Sequence, residues 1–98
     1  GIDDRDVGMV ANKYSLFHNY PNPFNPTTTI RYSLPNSGLV SIDVYNLVGQ
    51  RVETLVNEKK SAGSHKVVWD GKDSPSGIYF YRIQAGDFSQ TKKMVLMK

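Results

Sequence analysis

The sequence contains no cysteine, which excludes disulfide bonds, thiol catalysis and thiolate metal sites in this chain of 98 residues. It also has no apolar run that approaches the roughly 18 residues of a membrane-spanning helix, and no window with a sustained helical period. Its charges are nearly balanced, with 12 basic and 9 acidic residues, and the only basic doublets are Lys59–Lys60 and Lys92–Lys93. A nucleic-acid surface is therefore not expected, because such a surface needs basic residues clustered on one face.

Apolar and aromatic residues are present in sufficient number for a hydrophobic core. They make up 39% of the chain and include six tyrosines, four phenylalanines and one tryptophan, a composition typical of one small folded domain. Residues 1–13 are acidic at first and show no period, so we interpret them as a linker from an upstream domain. The folded domain is expected over 14–98. Gly1 in place of a methionine indicates a piece of a longer protein.

Alternation of apolar and polar residues predicts β-strands along most of this domain. Residues 30–34 and 40–44 alternate on either side of the turn PNSG, which predicts a hairpin, and NEKKSAGS, residues 57–64, is expected to be a loop. The pattern as a whole predicts an all-β, antiparallel, immunoglobulin-like β-sandwich of about seven strands, monomeric and without a disulfide. Its core is expected to contain Ile30, Tyr32, Val40, Ile42, Val44, Trp69, Tyr79, Tyr81 and Ile83.

The segment YPNPFNP, residues 20–26, places three prolines directly before a predicted strand. Each proline fixes its own φ angle and lacks a backbone donor, and it disfavours a helical conformation at the preceding residue. Tyr20 and Phe24 are large side chains that we expect to point inward. We interpret residues 20–26 as a strap that covers an edge of the sandwich. A purely structural role and an additional role in recognition stand as equal alternatives.

No catalytic, cofactor or metal site is predicted, and the chain is not expected to be an enzyme. His18 and His65 have no second ligand at a suitable spacing, and the adjacent Ser64 and His65 lie on opposite faces of a strand, which does not suit a catalytic pair. An Asp-Gly turn explains residues 70–73, which otherwise resemble the start of a calcium-binding loop. Phe80 is the outward aromatic residue of 79–81, so a sugar-stacking platform there is a minor alternative.

Several separate segments together resemble the type A C-terminal sorting domain of the type IX (Por) secretion system of Bacteroidetes. These segments are YPNPFNPTTTIRYSLPNSG, VYNLVGQRVETLV, WDGKD, SGIYFYRIQAG and KKMVLMK, which follow the order of the family and span about residues 14–98. The middle of the chain is also similar to the immunoglobulin-like domain of the flagellar hook-capping protein, which implies a shared structure. The positions that match the motifs of the sorting family are Pro21, Asn22, Pro23, Gly49, Gly77, Tyr79, Lys93, Met94 and Lys98.

This resemblance implies that the domain is an address carried at the C-terminus of a larger cargo protein. Members of the family are recognised by the outer-membrane translocon, and in many systems a cell-surface sortase removes the domain and joins the cargo to an anionic lipopolysaccharide. The implied location is secreted or cell-surface, reached through the periplasm of a Gram-negative bacterium. KKMVLMK is expected to be a last strand whose exposed edge suits recognition by strand addition. The alternative is a non-catalytic accessory module that binds polysaccharide within a secreted enzyme.

Overall fold

The computed structural model describes residues 13–98, which form two antiparallel β-sheets that share one core. One sheet has the strand order β1-β2-β5 and the other has the order β4-β3-β6-β7, which confirms the predicted seven-stranded immunoglobulin-like sandwich. No helix within 13–98 is long and apolar enough to cross a membrane. Apart from Lys13, the predicted linker lies outside the described residues. The strands are β1 Ser15–Leu16, β2 Thr27–Leu34, β3 Gly38–Asn46, β4 Arg51–Lys60, β5 Gly63–Asp70, β6 Gly77–Ala85 and β7 Phe88–Leu96.

The core between the sheets consists of the side chains that alternation directs inward. Every residue predicted for the core is exposed to 4% or less, because successive side chains of a strand point to opposite faces and one face of each central strand is apolar. Phe80 points away from the core, as predicted, between the buried Tyr79 and Tyr81. The buried apolar residues that complete the core are Leu16, Phe24, Leu34, Val56, Ala85, Met94 and Leu96.

Two predictions about strand pairing and extent are wrong. The strands on either side of PNSG do not form a hairpin, because β2 pairs with β1 and β5 whereas β3 pairs with β4 and β6. The turn therefore crosses from one sheet to the other. Residues 57–60, predicted as part of a loop, continue β4 along β3, with Gly38 opposite Lys60, and Gly63 and Ser64 of the same predicted loop begin β5. β4 is an edge strand whose only buried residue is Val56, so its sequence lacks the alternation that marks a central strand.

Candidate functional site

The residues that match the family motifs lie at one end of the sandwich. Tyr79 on β6 lies opposite Met94 on β7. On the other sheet the N–H of Gly71 donates to the C=O of Pro26 at 2.8 Å, and a Cβ on Gly71 would lie 3.0 Å from a side-chain methyl of Leu96. The close approach of Gly71 to Leu96 brings the two sheets together at this end. We call this region the motif end, and it comprises residues 20–27, 46–50, 69–79 and 93–98.

The strap forms backbone hydrogen bonds with the last part of β7. The N–H of Phe24 donates to the C=O of Val95 at 3.0 Å, and the N–H of Met97 donates to the C=O of Phe24 at 2.9 Å. The Asn22 Oδ1 atom accepts a hydrogen bond from the Val95 N–H at 3.0 Å. Phe24 thus forms a short parallel bridge beside Leu96. The strap covers an edge of the four-stranded sheet, as its proline pattern predicts.

The two aromatic residues of the strap point in opposite directions. Phe24 is 2% exposed and packs against Trp69, with the ring centroids 5.7 Å apart. Tyr20 is 80% exposed, so the prediction that it points inward is wrong. The reason is an antiparallel bridge between Tyr20 and Thr29. The bridge gives the backbone here the conformation of a strand, so successive side chains point to opposite faces. Asn19 takes the inward position instead and is buried.

Asn19 anchors the entry of the strap through a network of hydrogen bonds that sequence analysis missed. Its N–H donates to the Tyr81 hydroxyl at 2.9 Å, and that hydroxyl donates to the C=O of Phe17 at 2.7 Å. Its Nδ2 group donates to the Thr28 hydroxyl at 3.0 Å, which in turn donates to the C=O of Pro21 at 2.8 Å. The network joins residues far apart in the chain, so the local pattern contains no signal for it.

Tyr81 makes the stability of the domain decrease with pH in the alkaline range. Burial raises the pKa of Tyr81 from 10.0 to about 12, although the hydrogen bond from the Asn19 backbone opposes this rise. Because the folded pKa is raised, the neutral phenol contributes stability that is fully present below pH 10 and is lost as the pH rises through about 12. We therefore expect the midpoint temperature of thermal unfolding to decrease as the pH rises from 10 to about 12.

Circular dichroism melts of two tyrosine variants check this expectation. Tyr81→Phe should show a shallower fall of the midpoint than the native domain, although part of the slope remains because burial also raises the pKa of Tyr32. Tyr20→Phe, at a ring that is 80% exposed, is the matched control and should keep the native slope. An unchanged slope in Tyr81→Phe would contradict the assignment.

The last residue of the chain is attached to the turn that precedes β6. The backbone N–H of Lys98 donates to the Ser76 hydroxyl at 3.0 Å, and its ammonium group donates to the C=O of Lys72. Gly77, at the start of β6, lies opposite Leu96 near the end of β7. The structure thus brings Gly77 and Lys98, both matched by the family motif, to the same part of the motif end.

The other motif residues divide into buried and exposed groups. Tyr79 and Met94 are 4% and 0% exposed. The Tyr79 hydroxyl donates to the C=O of Pro75 at 2.6 Å, and its ring meets Trp69 edge to face at 5.2 Å. Tyr79 and Met94 therefore stabilise the fold and are inaccessible to a partner. The motif residues that are exposed are Pro21, Asn22, Pro23, Gly49, Gly77, Lys93 and Lys98.

Gly49 is required by the turn between β3 and β4. Its φ angle is +88°, a conformation that residues with a Cβ rarely adopt. The Asn46 side chain closes the turn, since its Oδ1 atom accepts from the N–H groups of Val48 and Gln50 at 3.1 and 2.9 Å. Asn46 lies opposite Tyr79 on β6, which places Gly49 at the motif end.

The edge of β7 is open where the strap ends. In antiparallel strands the N–H and C=O of one residue point to the same side, and this side alternates along the strand. Val95 directs both groups to the strap, so Ser89, Thr91 and Lys93 direct theirs away from β6 in the unbroken register of this pair. Within 13–98 no residue hydrogen-bonds to these outward groups. We call the backbone of residues 89–93 the free edge of β7.

The other residues considered for chemistry have local structural partners. The Asp70 carboxylate accepts from the Lys72 N–H at 3.0 Å, as expected of an Asp-Gly turn. A ring nitrogen of His65 hydrogen-bonds to the C=O of Ser61 at 2.8 Å, and the ring stacks on Tyr32 at 5.3 Å. In the part of the chain that the structure describes, no three histidine or acidic side chains are grouped as metal ligands.

Comparisons with known proteins agree with this arrangement. Residues 18–97 match the family described as the secretion system C-terminal sorting domain. Dimeric latent PorU from Porphyromonas gingivalis is similar in structure with a TM-score of 0.66 and 18% identity, over 95% of this chain and 10% of that one. PorZ, an essential surface component of the type IX secretion system of the same bacterium, has a TM-score of 0.57 and 16% identity, over 87% of this chain and 11% of that one.

At 18% and 16% identity, these comparisons show that the chain shares a fold with the two proteins. The chain spans about a tenth of the length of each of them. No curated protein sequence matches the chain.

Proposed function

The chain belongs to the family of C-terminal sorting domains of the type IX secretion system, and on this premise we propose that the secretion machinery recognises the free edge of β7. Domains of this family are sorting signals, which implies a larger cargo chain and export to the cell surface or secretion. The observation that carries the proposal is that the strap contacts β7 only at its end, next to Val95, so that among the described residues no strand pairs with residues 89–93 on the side away from β6.

A strand from the translocon can add to this edge by backbone hydrogen bonds. Such addition gains affinity from the main chain and specificity from the flanking side chains, and Lys92 and Lys93 favour a partner segment with acidic residues. The free edge is bounded by the strap on one side and by the turn at Gly86 on the other, so an added strand has a defined register. The opposite edge of this sheet is less suitable, because β4 is irregular in its pairing with β3 and irregular edges resist strand addition.

The strap supports this function by limiting where the sheet can pair. With the strap in place, the end of β7 is closed and only one stretch of its edge accepts a partner. We propose that the domain crosses the periplasm folded and monomeric, with the translocon as its partner at the outer membrane. The buried anchors Phe24 and Asn19 hold the strap against the core during this passage.

A sortase that removes the domain is proposed to cut between about Val7 and Leu16, a window that lies mostly outside the described residues, and the pairing of β1 favours the part of it before Ser15. At β1 the backbone is paired, with Ser15 opposite Ser33, and the next side chain, Leu16, is 5% exposed. A protease needs backbone that can enter its cleft, so the paired chain from β1 onward does not suit cleavage. Gly8 and Ala11 supply small residues upstream of β1.

Export of a reporter protein tests the recognition proposal. The reporter carries a signal peptide, is fused upstream of residues 1–98, and is expressed in a host with a compatible type IX system. Thr91→Pro removes one outward N–H of β7 without breaking a hydrogen bond to β6. It should lower the amount of reporter at the surface by on the order of tenfold, which corresponds to about 1.4 kcal/mol of binding free energy.

Val68→Pro is the matched control, because Val68 lies on the outer edge of β5 and its N–H points away from β2. This variant should be exported at the native level, and thermal melts must show that both variants fold. A folded Thr91→Pro domain exported as well as the native one would exclude recognition through β7. Mass spectrometry of the exported reporter gives the cleavage site, and a reporter that keeps its whole domain would contradict the sortase proposal.

A further inference from the structure

A groove of about 370 Å³ lies on the outer face of the three-stranded sheet, on the opposite sheet from the free edge of β7. We propose that this groove binds an anionic saccharide, that is, a sugar ring that carries a carboxylate or a phosphate group. Neither the sorting function nor the recognition of β7 requires such a ligand. The residues that line the groove are Phe17, His18, Tyr20, Thr29, Arg31 and Lys66.

Two cations of like charge lie side by side on the floor of the groove. Arg31 on β2 is directly opposite Lys66 on β5, and both side chains are exposed. Like charges in this position destabilise a sheet, and an anion between them would relieve the repulsion. The guanidinium group supplies five N–H donors and the ammonium group three. The described lining residues include no carboxylate, so the groove matches a ligand that is rich in acceptors.

Two exposed aromatic rings add an apolar component to the same groove. Phe17 is 51% exposed and Tyr20 is 80% exposed. Flat apolar rings are suited to packing against the faces of other rings, whereas a bare inorganic anion would leave both of them unused. A neutral sugar would leave the cation pair uncompensated. An anionic sugar satisfies both features of the lining.

Backbone hydrogen bonds hold the chain at Phe17 and Tyr20 beside the groove without a ligand. The N–H of Phe17 donates to the C=O of Arg31 at 3.0 Å, and Tyr20 and Thr29 exchange two hydrogen bonds of 2.9 Å. Asn19, between the lining residues His18 and Tyr20, is buried and hydrogen-bonded. A preformed site loses less entropy when it binds its ligand.

A second depression extends the groove along β5. It has a volume of about 420 Å³ and is lined by Arg31, Ser64, His65 and Lys66. The two depressions share the cation pair, so together they form a continuous track across the sheet. The volume of the groove is within the range of small-molecule sites, and the open depression beside the same cation pair gives room for a second acidic ring of an oligosaccharide.

Calorimetric titration of the domain with three probes tests the proposal. The probes are trigalacturonate, the neutral galactose trisaccharide and inorganic phosphate. Trigalacturonate should bind with at least about tenfold higher affinity than either of the others, a difference that corresponds to about 1.4 kcal/mol. Equal binding of the neutral trisaccharide would exclude a role for the charge, and equal binding of phosphate would reduce the site to a simple anion site; either result overturns the proposal.

Charge-matched variants locate the binding. Arg31→Gln with Lys66→Gln should weaken trigalacturonate binding by about tenfold or more, and the single variant Lys66→Gln, at an exposed position, provides a milder test of the same contact. Lys59→Gln with Arg82→Gln removes the same charge from exposed positions on the other sheet and should leave the affinity unchanged. Equal weakening by both double variants would mean general attraction by net charge and would overturn the proposal.

Thermal melts accompany these titrations. Arg31→Gln with Lys66→Gln should unfold at the native temperature or above it, because the change removes a repulsive pair. Phe17→Ala should weaken the binding of trigalacturonate several-fold without changing the binding of phosphate, since the ring contacts only the sugar. Unchanged trigalacturonate binding by a folded Phe17→Ala domain would contradict the aromatic part of the site.

Discussion

Trp69→Ala is expected to lower the free energy of unfolding by about 3–5 kcal/mol. The side chain is 1% exposed and its ring contacts Tyr79 and Phe24, with centroid distances of 5.2 and 5.7 Å. Truncation leaves a cavity between the two sheets and also removes the hydrogen bond from the indole N–H to the Glu53 carboxylate at 3.1 Å. Small domains are stable by only about 5–15 kcal/mol, so this variant should lie close to the limit of folding.

Urea unfolding followed by far-ultraviolet circular dichroism measures the loss, since the tryptophan fluorescence is absent from the variant. Val68→Ala is a suitable control, because the neighbouring Val68 is 57% exposed and truncation of an exposed side chain usually changes stability by about 0.5 kcal/mol or less. Trp69→Phe keeps an aromatic ring and should lie between the two. A cost below about 1 kcal/mol for Trp69→Ala would show that the core does not depend on this ring.

The residues of the core could be predicted from the sequence, because burial of one strand face imposes a period of two residues. Ile30 and Tyr32 on β2 follow this period, as do Val40, Ile42 and Val44 on β3, and all five are buried. The same reasoning failed at Tyr20, where a single bridge to Thr29 decides which side chain points inward. A local pattern of prolines does not indicate the phase in which a short segment joins a sheet.

Strand partners and long-range contacts could not be predicted, because alternation defines a buried face and gives no information about neighbours. β2 and β3 have the pattern of a hairpin, yet they lie in different sheets. The hydrogen bond between Asn22 and Val95 joins residues 73 positions apart. The Arg31–Lys66 pair likewise follows only from the register of β2 against β5. The strap was recognisable in the sequence, and its attachment to β7 was not.

Deletion of residues 93–98 is expected to unfold the domain as well as to stop export. Met94 and Leu96 are both fully buried, and loss of each large core side chain costs about 2–5 kcal/mol. The deletion also removes Val95, whose backbone groups bind Phe24 and Asn22 of the strap. The summed loss reaches the whole stability of a small domain. A failure of export in this variant would therefore not identify the signal that the machinery recognises.

Deletion of Lys98 alone separates recognition of the chain terminus from recognition of the free edge of β7. Lys98 is exposed, and its hydrogen bonds to Ser76 and Lys72 lie at the surface, so the midpoint of thermal unfolding should change little. The free edge, residues 89–93, is untouched by this change. If the edge is the signal, the reporter fused to this shortened domain should reach the surface at the native level, whereas the fusion that lacks 93–98 should be absent from it.

The opposite result has a clear physical meaning, because the domain without Lys98 and the Thr91→Pro domain each lack one of the two candidate recognition features. A domain without Lys98 that folds but is not exported would mean that the translocon binds the terminal residue and the turn that holds it. In that case Thr91→Pro, which leaves Lys98 and its contacts in place, should be exported normally. Loss of export in Thr91→Pro together with export of the domain without Lys98 would instead assign recognition to the backbone between the strap and the Gly86 turn. Measurement of both fusions in one host, with melts of both purified domains, distinguishes these two modes.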